Sequence, residues 1–560
     1  MKLRHPDPAV AAAVWFVAFF AFVPSMCAQE GAAPRHTGVP QDWSQHHIVF
    51  SRDALTLHPN LIDREPRVRH QAMQRWQSPN SDAFRGAAPL PIAAARSGLH
   101  RDWNVSGLQG KVSPFNFPAK FSFDVDAPPD CTNDYVVFGL STASTGTQAN
   151  LVAFNNLYSN TVIGGGFCDP LPGPGLGPNV LFAYDTTTVT GGKIVTSPIL
   201  SLDGTKIGFV ESIPGATPSA IFHVLTWTAG QGIIGVAAVP TAMISLPFSL
   251  SANDSSSSPW IDYGNDIVYV GADNGNVYKI TGVFKGTPTL ITGGGWPVTV
   301  STGLHLTSPV LDSILGKLMV GSGNGNLYQI DTATGALTAL AVGGGTTSHG
   351  IVAAPLVDIT NGTTFVVSAN DGIAGAVLVE VDTATMASPP LSKARIGLGA
   401  FGGTVLNIHD PDFSNNYYTT PTNGVIRVCG TGAADTTPWQ YAFAFTGRTM
   451  HTSPSFSQQL LTSTAARCTG LTEFFNPNVG SGTDYFFFGL TSDCTAVGGA
   501  GGCVAEITDA NPTTVLKTTV TNGPSGISVD NYSSAAEASS IYFTAEGANT
   551  AYKFTQNGLF

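Results

Sequence analysis

The sequence predicts an all-β fold: a β-propeller, of eight four-stranded blades with seven left open, carrying an N-terminal extension. Three observations predict it. The first is a repeat. Ser258-Pro259 is matched by Ser308-Pro309, Ile267-Val268-Tyr269-Val270-Gly271 by Lys317-Leu318-Met319-Val320-Gly321, and Asp273-Asn274-Gly275-Asn276-Val277-Tyr278 by Gly323-Asn324-Gly325-Asn326-Leu327-Tyr328, always 50 positions apart. A fixed offset of this length is the mark of a propeller blade. The second is the recurrence of apolar β-branched runs bounded by Gly, Asn and Asp, the strand and hairpin signal, with Asn-Gly as the preferred tight turn. The third is composition. Charged residues are only 11% of the chain, against ~25% in an average soluble protein, and Gly, Ser and Thr take their place, as short strands and tight turns require.

In chain order, Lys2 and Arg4 precede an apolar run over 9–23 and small residues at Ser25, Cys27 and Ala28. This reads as a secretory signal peptide over 1–28. The run is shorter than the ~20 residues of a membrane-spanning helix, so no span is expected after signal removal. Residues 29–100 lack the repeat and form the extension. Within it, 42–51 reads as one strand, 63–77 as a helix with Pro66 in its first turn, and 86–96 as a Pro- and Ala-rich linker. The extension is expected to wrap the main body. His46 and His47 are expected at the surface.

The propeller occupies 101–560. Pro114 opens its first unit, with strands at 117–125, 135–140 and 151–154; Pro198 opens the second, with 206–210 and 221–227. Pro259, Pro309 and Pro355 open the third to fifth, a degenerate sixth covers 403–445, and Pro454 opens the seventh. In the eighth, Ile541-Tyr542-Phe543 and 551–554 echo the Tyr269 and Tyr278 strands. The chain stops before that unit has a fourth strand. Because an open sheet edge must be covered, a strand from 103–108 or from 42–51 is expected to complete it.

Removing the signal leaves six cysteines, an even number that favours disulfides in an exported chain. Cys131 with Cys168 and Cys494 with Cys503 are the expected pairs, leaving Cys429 with Cys468. From residue 104 onward the chain holds 14 basic and 29 acidic residues, a net of −15. That argues against nucleic acid as a partner, since phosphate binding needs basic surface.

The Ser258-Pro259 and Ser308-Pro309 units, the latter ending in Asp331-Thr332-Ala333-Thr334-Gly335, resemble the quinoprotein-like (PQQ-like) β-propeller repeats. The resemblance is good over units three and four, fair over five and weak elsewhere. It implies the propeller fold. The dehydrogenases of that superfamily carry a vicinal disulfide over pyrroloquinoline quinone, and some a CxxCH haem motif. This chain has neither, and Gly335 is followed by Ala336 rather than tryptophan. The layout also resembles exported bacterial propeller proteins of unassigned function.

No Walker loop, HExxH or GxSxG is present. His305, His349 and His451 each precede a Pro that opens a unit. Rotation about the channel would bring such positions to one mouth, where imidazoles can bind a divalent metal or move protons; the alternative is that each caps its own turn. Asp410 and Asp412 could offer oxygens to calcium but lack the spacing of a dedicated loop and read first as turn residues, as do Asp273, Asn274 and Asn324. Phe486, Phe487 and Phe488 read as inter-blade core. The function expected is that of an exported, non-catalytic binding or scaffold propeller for a protein or polysaccharide ligand, with no cofactor. The alternatives are an enzyme at the channel mouth (a lyase, a hydrolase or a divergent quinone-dependent oxidoreductase) and a surface protein docking through its extension.

Overall fold

The computed structural model describes residues 38–50, 61 and 65–76 and, between 99 and 556, all but short segments, the longest being 345–349, 400–409, 477–481 and 495–500. The signal and linker expected over 1–28 and 86–96 lie outside the described residues, as does His349.

Eight antiparallel sheets form the blades. Their innermost strands are, in order, Ala119–Ser122, Ile199–Leu200, Trp260–Asp262, Val310–Asp312, Leu356–Asp358, Asp412–Phe413, Thr472–Asn476 and Ser528–Asp530. Blades 1 to 7 run outward through three further strands in chain order. Blade 8 takes its outermost strand, Leu99–Ser106, from the other end of the chain, where it pairs with Thr550–Gln556. The expected completion of the last blade is therefore met by the segment near Trp103. Middle strands such as Tyr135–Gly139 and Thr363–Ser368 are buried throughout, because neighbouring blades cover both faces. Such strands read as unbroken apolar runs. Outer strands such as Leu337–Ala341 are mostly exposed.

The repeat has two physical causes. The glycine that ends the second strand is where the segment opening the next blade packs closest. A Cβ on Gly139 would stand 2.5 Å from Ile194 Cγ2, on Gly321 2.4 Å from Ile351 Cγ2, and on Gly489 2.5 Å from Pro524 Cδ. In three blades the hydroxyl that precedes the innermost strand accepts the N–H of the glycine at that place: Gly271 N to Ser257 Oγ at 3.0 Å, Gly321 N to Thr307 Oγ1 at 2.9 Å, and Gly489 N to Thr469 Oγ1 at 2.7 Å. The serine of each Ser-Pro pair has a different partner, the preceding blade. Phe117 N donates to Ser197 Oγ, Ser197 N to Ser258 Oγ, and Ser258 N to Ser308 Oγ, at 2.7–2.9 Å.

Two expectations about boundaries are corrected. Pro454 does not open blade 7: the strand after it, Phe456–Gln459, is the outermost of blade 6 and pairs with Pro438–Thr446. Blade 7 opens instead at Thr469, which supplies the hydroxyl without a following proline. Residues 42–50 are not one strand, and residue 51, the end of the stretch expected as one, lies outside the described residues. They form a 3-10 helix, Trp43–His47, between the two short strands Val39–Gln41 and Ile48–Val49.

Those two strands lie inside the propeller. Val39–Gln41 pairs antiparallel with the innermost strand of blade 1, and Ile48–Val49 pairs parallel with that of blade 5. Trp43 Nε1 donates to Pro259 O at 3.0 Å in blade 3. The helix Pro66–Trp76 follows, with Pro66 at its first position, where no N–H is missed. Arg67 on this helix stacks over Trp260 (4.2 Å) and Tyr263 (5.1 Å), donates to Ile261 O and pairs with Glu65 at 2.7 Å. Arg75 reaches blade 7 through Glu473. The segment is thus a plug that bonds to innermost strands on several sides of the channel. Its buried side chains, Trp43, Ile48, Val49, Phe50 and Val68 among them, each contribute roughly 1.5–3 kcal/mol of apolar burial.

Candidate functional site

Every innermost strand starts on the same face, so the segments that open the blades ring one mouth of the channel. There the plug and the ring enclose a cavity of about 440 Å³. Trp43 and His47 of the plug form its floor. Blade-opening segments form the walls: Phe117 and Ser197; Asp254, Ser256 and Ser258; His305, Thr307 and Ser308; Val352 to Ala354; and Asp410. The hydroxyls are there because the repeat places Ser or Thr at the start of several blades, blade 5 with Ala353 and Ala354 being an exception.

Two titratable groups meet at the floor. His47 Nε2 lies 3.8 Å from Asp410 Oδ2. Burial lowers the His47 imidazole to about 4, leaving it neutral at physiological pH. Burial raises the Asp410 carboxyl to about 7. Asp410 is 7% exposed, and its Oδ1 is buried without a hydrogen-bond partner. Such a group is costly unless something that enters the cavity pairs with it. On the wall, His305 is half-buried with Nδ1 3.0 Å from Asp273 Oδ1. Asp254 Oδ2 accepts from Ser212 Oγ at 2.6 Å.

Of the three histidines singled out from the sequence, the two that are described, His305 and His451, sit in different surroundings, and His349 lies outside the described residues. His305 lines the cavity. His451 is exposed beside the blade 6 pairing of Phe445–Thr446 with Thr449–Met450, with Nε2 2.8 Å from Thr446 Oγ1. Its spacing to Pro454 resembles that of His305 to Pro309, but Pro454 precedes an outermost strand. His47, expected at the surface, is instead 2% exposed at the cavity floor. His46 stacks on Phe117 with ring centroids 5.0 Å apart. Asp412, read from the sequence first as a turn residue, stands instead on the innermost strand of blade 6 and accepts from Phe413 N and from Glu473 N of blade 7, both at 2.8 Å. Phe486, Phe487 and Phe488 are buried core. Asn274 and Asn324 accept from Asn276 N and Asn326 N, as turn residues do. The floor residues were missed because nothing local ties 42–50 to a channel formed by strands hundreds of residues away.

The cysteines join as Cys131–Cys168, Cys429–Cys468 and Cys494–Cys503, with Cα–Cα distances of 5.7, 6.0 and 5.8 Å. The second links a strand of blade 6 to the segment opening blade 7. Among the described residues no helix is long and apolar enough to cross a membrane.

Fold and site define an eight-bladed β-propeller whose channel is filled by its own N-terminal segment beneath a cavity at one mouth. No family model and no curated protein matches the sequence. Among solved structures the chain is similar to BamB from Moraxella catarrhalis, at 11% identity and a TM-score of 0.42, covering 82% of this chain and 97% of that one. It is similar to the Dos1 propeller at 11% identity and 0.49, covering 82% and 95%. The WD40 domain of Toxoplasma gondii coronin follows at 14% and 0.37, covering 70% and 81%. Likeness at this level carries no argument about function, and the blade count rests on the strand pairing.

Proposed function

We propose that this chain is an exported binding propeller that holds a polysaccharide chain end in the mouth cavity and does no chemistry on it. The observation that carries the reading is the buried, unpartnered Oδ1 of Asp410 at the wall of a cavity of about 440 Å³, a size within the range for small-ligand sites. A sugar hydroxyl both donates and accepts, so it suits a wall that offers Asp254 and Asp410 as acceptors and Ser256, Ser258, Thr307 and Ser308 as either. Phe117, Val352 and Ala353 supply the apolar contact that sugar C–H faces need. Export is supported by the three disulfides, which persist in oxidising compartments.

The test is a glycan array followed by titration calorimetry of each hit against the wild type and Asp410→Asn. At a pH above the Asp410 value of about 7, where its carboxyl is ionised, micromolar binding weakened about ten-fold or more by the substitution is expected, the worth of one hydrogen bond to a charged acceptor. Absence of any saccharide hit, or equal binding by the variant, would overturn the reading. Cleavage of a bound saccharide, lost in Asp410→Asn, would replace it with a lyase or hydrolase at the same cavity.

A further inference from the structure

Where the outermost strand of blade 8 meets blade 1, away from the mouth, three potential metal ligands converge. His100 and Asp102 lie on the closing strand Leu99–Ser106, and Glu537 precedes the strand Ser540–Thr544. Each offers a ligand atom within 4.8 Å of the other two. His100 Nε2 is 3.4 Å from Asp102 Oδ1 and 3.6 Å from Glu537 Oε2. Zinc–ligand bonds of about 2.1 Å in a tetrahedral site put neighbouring donor atoms roughly 3.4 Å apart. The two distances from His100 therefore match edges of such a site, and the third, between the carboxylates, is within 4.8 Å.

The backbone is shaped to make this convergence. Arg101 pairs with Phe554 and Trp103 with Lys553, leaving Asp102 as the extra residue of a β-bulge. A bulge re-aims a side chain; here Asp102 and Trp103, consecutive in sequence, are both fully buried. Glu537 sits at φ 58°, a conformation a glutamate adopts only where its surroundings hold it.

Each carboxylate has one oxygen anchored and turns the other toward His100, and Asp102 Oδ1 also accepts from Asn160 Nδ2 at 3.5 Å. Asp102 Oδ2 takes Lys553 Nζ at 2.5 Å and Thr555 Oγ1 at 2.7 Å. Glu537 Oε1 takes Asn160 Nδ2 at 3.1 Å, while its Oε2 is buried and makes no hydrogen bond. Outer partners that fix carboxylate orientation in this way are typical of metal sites. One imidazole with two carboxylates selects a divalent transition metal over calcium or magnesium, which prefer oxygen ligands alone.

We propose that His100 Nε2, Asp102 Oδ1 and Glu537 Oε2 bind a zinc-class divalent cation that locks the N-terminal strand into blade 8 and so holds the propeller ring closed. His100 has a side chain 15% exposed, which gives the ion its route in and leaves a fourth position to water.

The full-length mature protein, stripped with chelator and dialysed, is titrated with Zn2+ alone and separately with Ca2+. Metal content is read by elemental analysis and unfolding by circular dichroism. One Zn2+ per chain, a higher melting temperature with Zn2+ and no response to Ca2+ are expected. His100→Ala should bind Zn2+ about 100-fold more weakly and lose the thermal shift, while its metal-free melt stays close to that of the wild type. Glu537→Gln should do the same; if it fails to fold, His100→Ala decides alone. No stoichiometric Zn2+ in the wild type, or unchanged affinity in His100→Ala, would overturn the proposal and leave a protonated His100 bridging the two carboxylates.

Discussion

Arg75, on the helix of the channel plug, places its two terminal nitrogens on the two carboxylate oxygens of Glu473 in blade 7, at 2.8 and 2.5 Å, with its guanidinium 3.3 Å from the Tyr418 ring. Both side chains are almost fully buried. A buried pair adds little over a well-packed apolar pair, but removing one partner strands the other. Arg75→Ala should therefore cost about 3–5 kcal/mol, and Arg75→Leu combined with Glu473→Leu much less. Urea unfolding of the single and double variants checks this; equal destabilisation would show that packing, not charge, sets the cost.

The same seam should weaken in base. Burial, and next the charge of Glu473, push Asp412 up to about 8, and burial beside Glu473 raises Asp484 well above the ordinary carboxylate range. A carboxyl whose folded pKa is raised keeps its proton in the folded state after the unfolded chain has lost it. Its stabilising effect is thus complete below the unfolded pKa near 4 and is lost as pH rises through about 8. Unfolding free energy should fall between about pH 5 and about pH 8, and Asp412→Asn should flatten that slope. A slope in Asp412→Asn equal to that of the wild type would contradict the protonated cluster.

The repeat was readable because its causes are local. The Ser-Pro pair, the glycine at the end of the second strand and the Asn-Gly turn each serve contacts made again from blade 3 to blade 4, so Gly271 and Gly321 fall in register. Blade 7 shows the limit, since Thr469 keeps the hydrogen bond while the proline that marked its relatives is gone. The closing strand was legible from the need to cover an edge, and the helix start from Pro66. The plug, the cavity floor at His47 and the His100–Asp102–Glu537 cluster were not. Each joins residues that touch only after the ring closes, and no spacing in the chain records such contacts.

The Cys429–Cys468 link spans 39 residues and ties blade 6 to the segment opening blade 7. Closing a loop of that size in the unfolded chain is worth about 2–4 kcal/mol. Cys429→Ser with Cys468→Ser should therefore lower the unfolding free energy by that amount, and removal of Cys494–Cys503, 9 residues apart, by less. Denaturant midpoints of the two double variants give the comparison. A larger loss from the shorter loop would mean that packing around blade 7 outweighs loop entropy.

The opening hydroxyls divide into two kinds with separable consequences. Thr307 Oγ1 accepts Gly321 N within blade 4, whereas Ser258 Oγ accepts Ser197 N from the blade before it. Both hydroxyl-bearing residues are buried, so Thr307→Val or Ser258→Ala leaves a backbone N–H unpaired, at about 1–3 kcal/mol each. Hydrogen exchange tells the two apart. Thr307→Val should speed exchange at Gly321 within its own blade, and Ser258→Ala at Ser197 in the neighbouring blade. Exchange that rises across both blades in either variant would mean that this part of the ring opens as one cooperative unit, with the blade-to-blade bonds as strong as those within a blade.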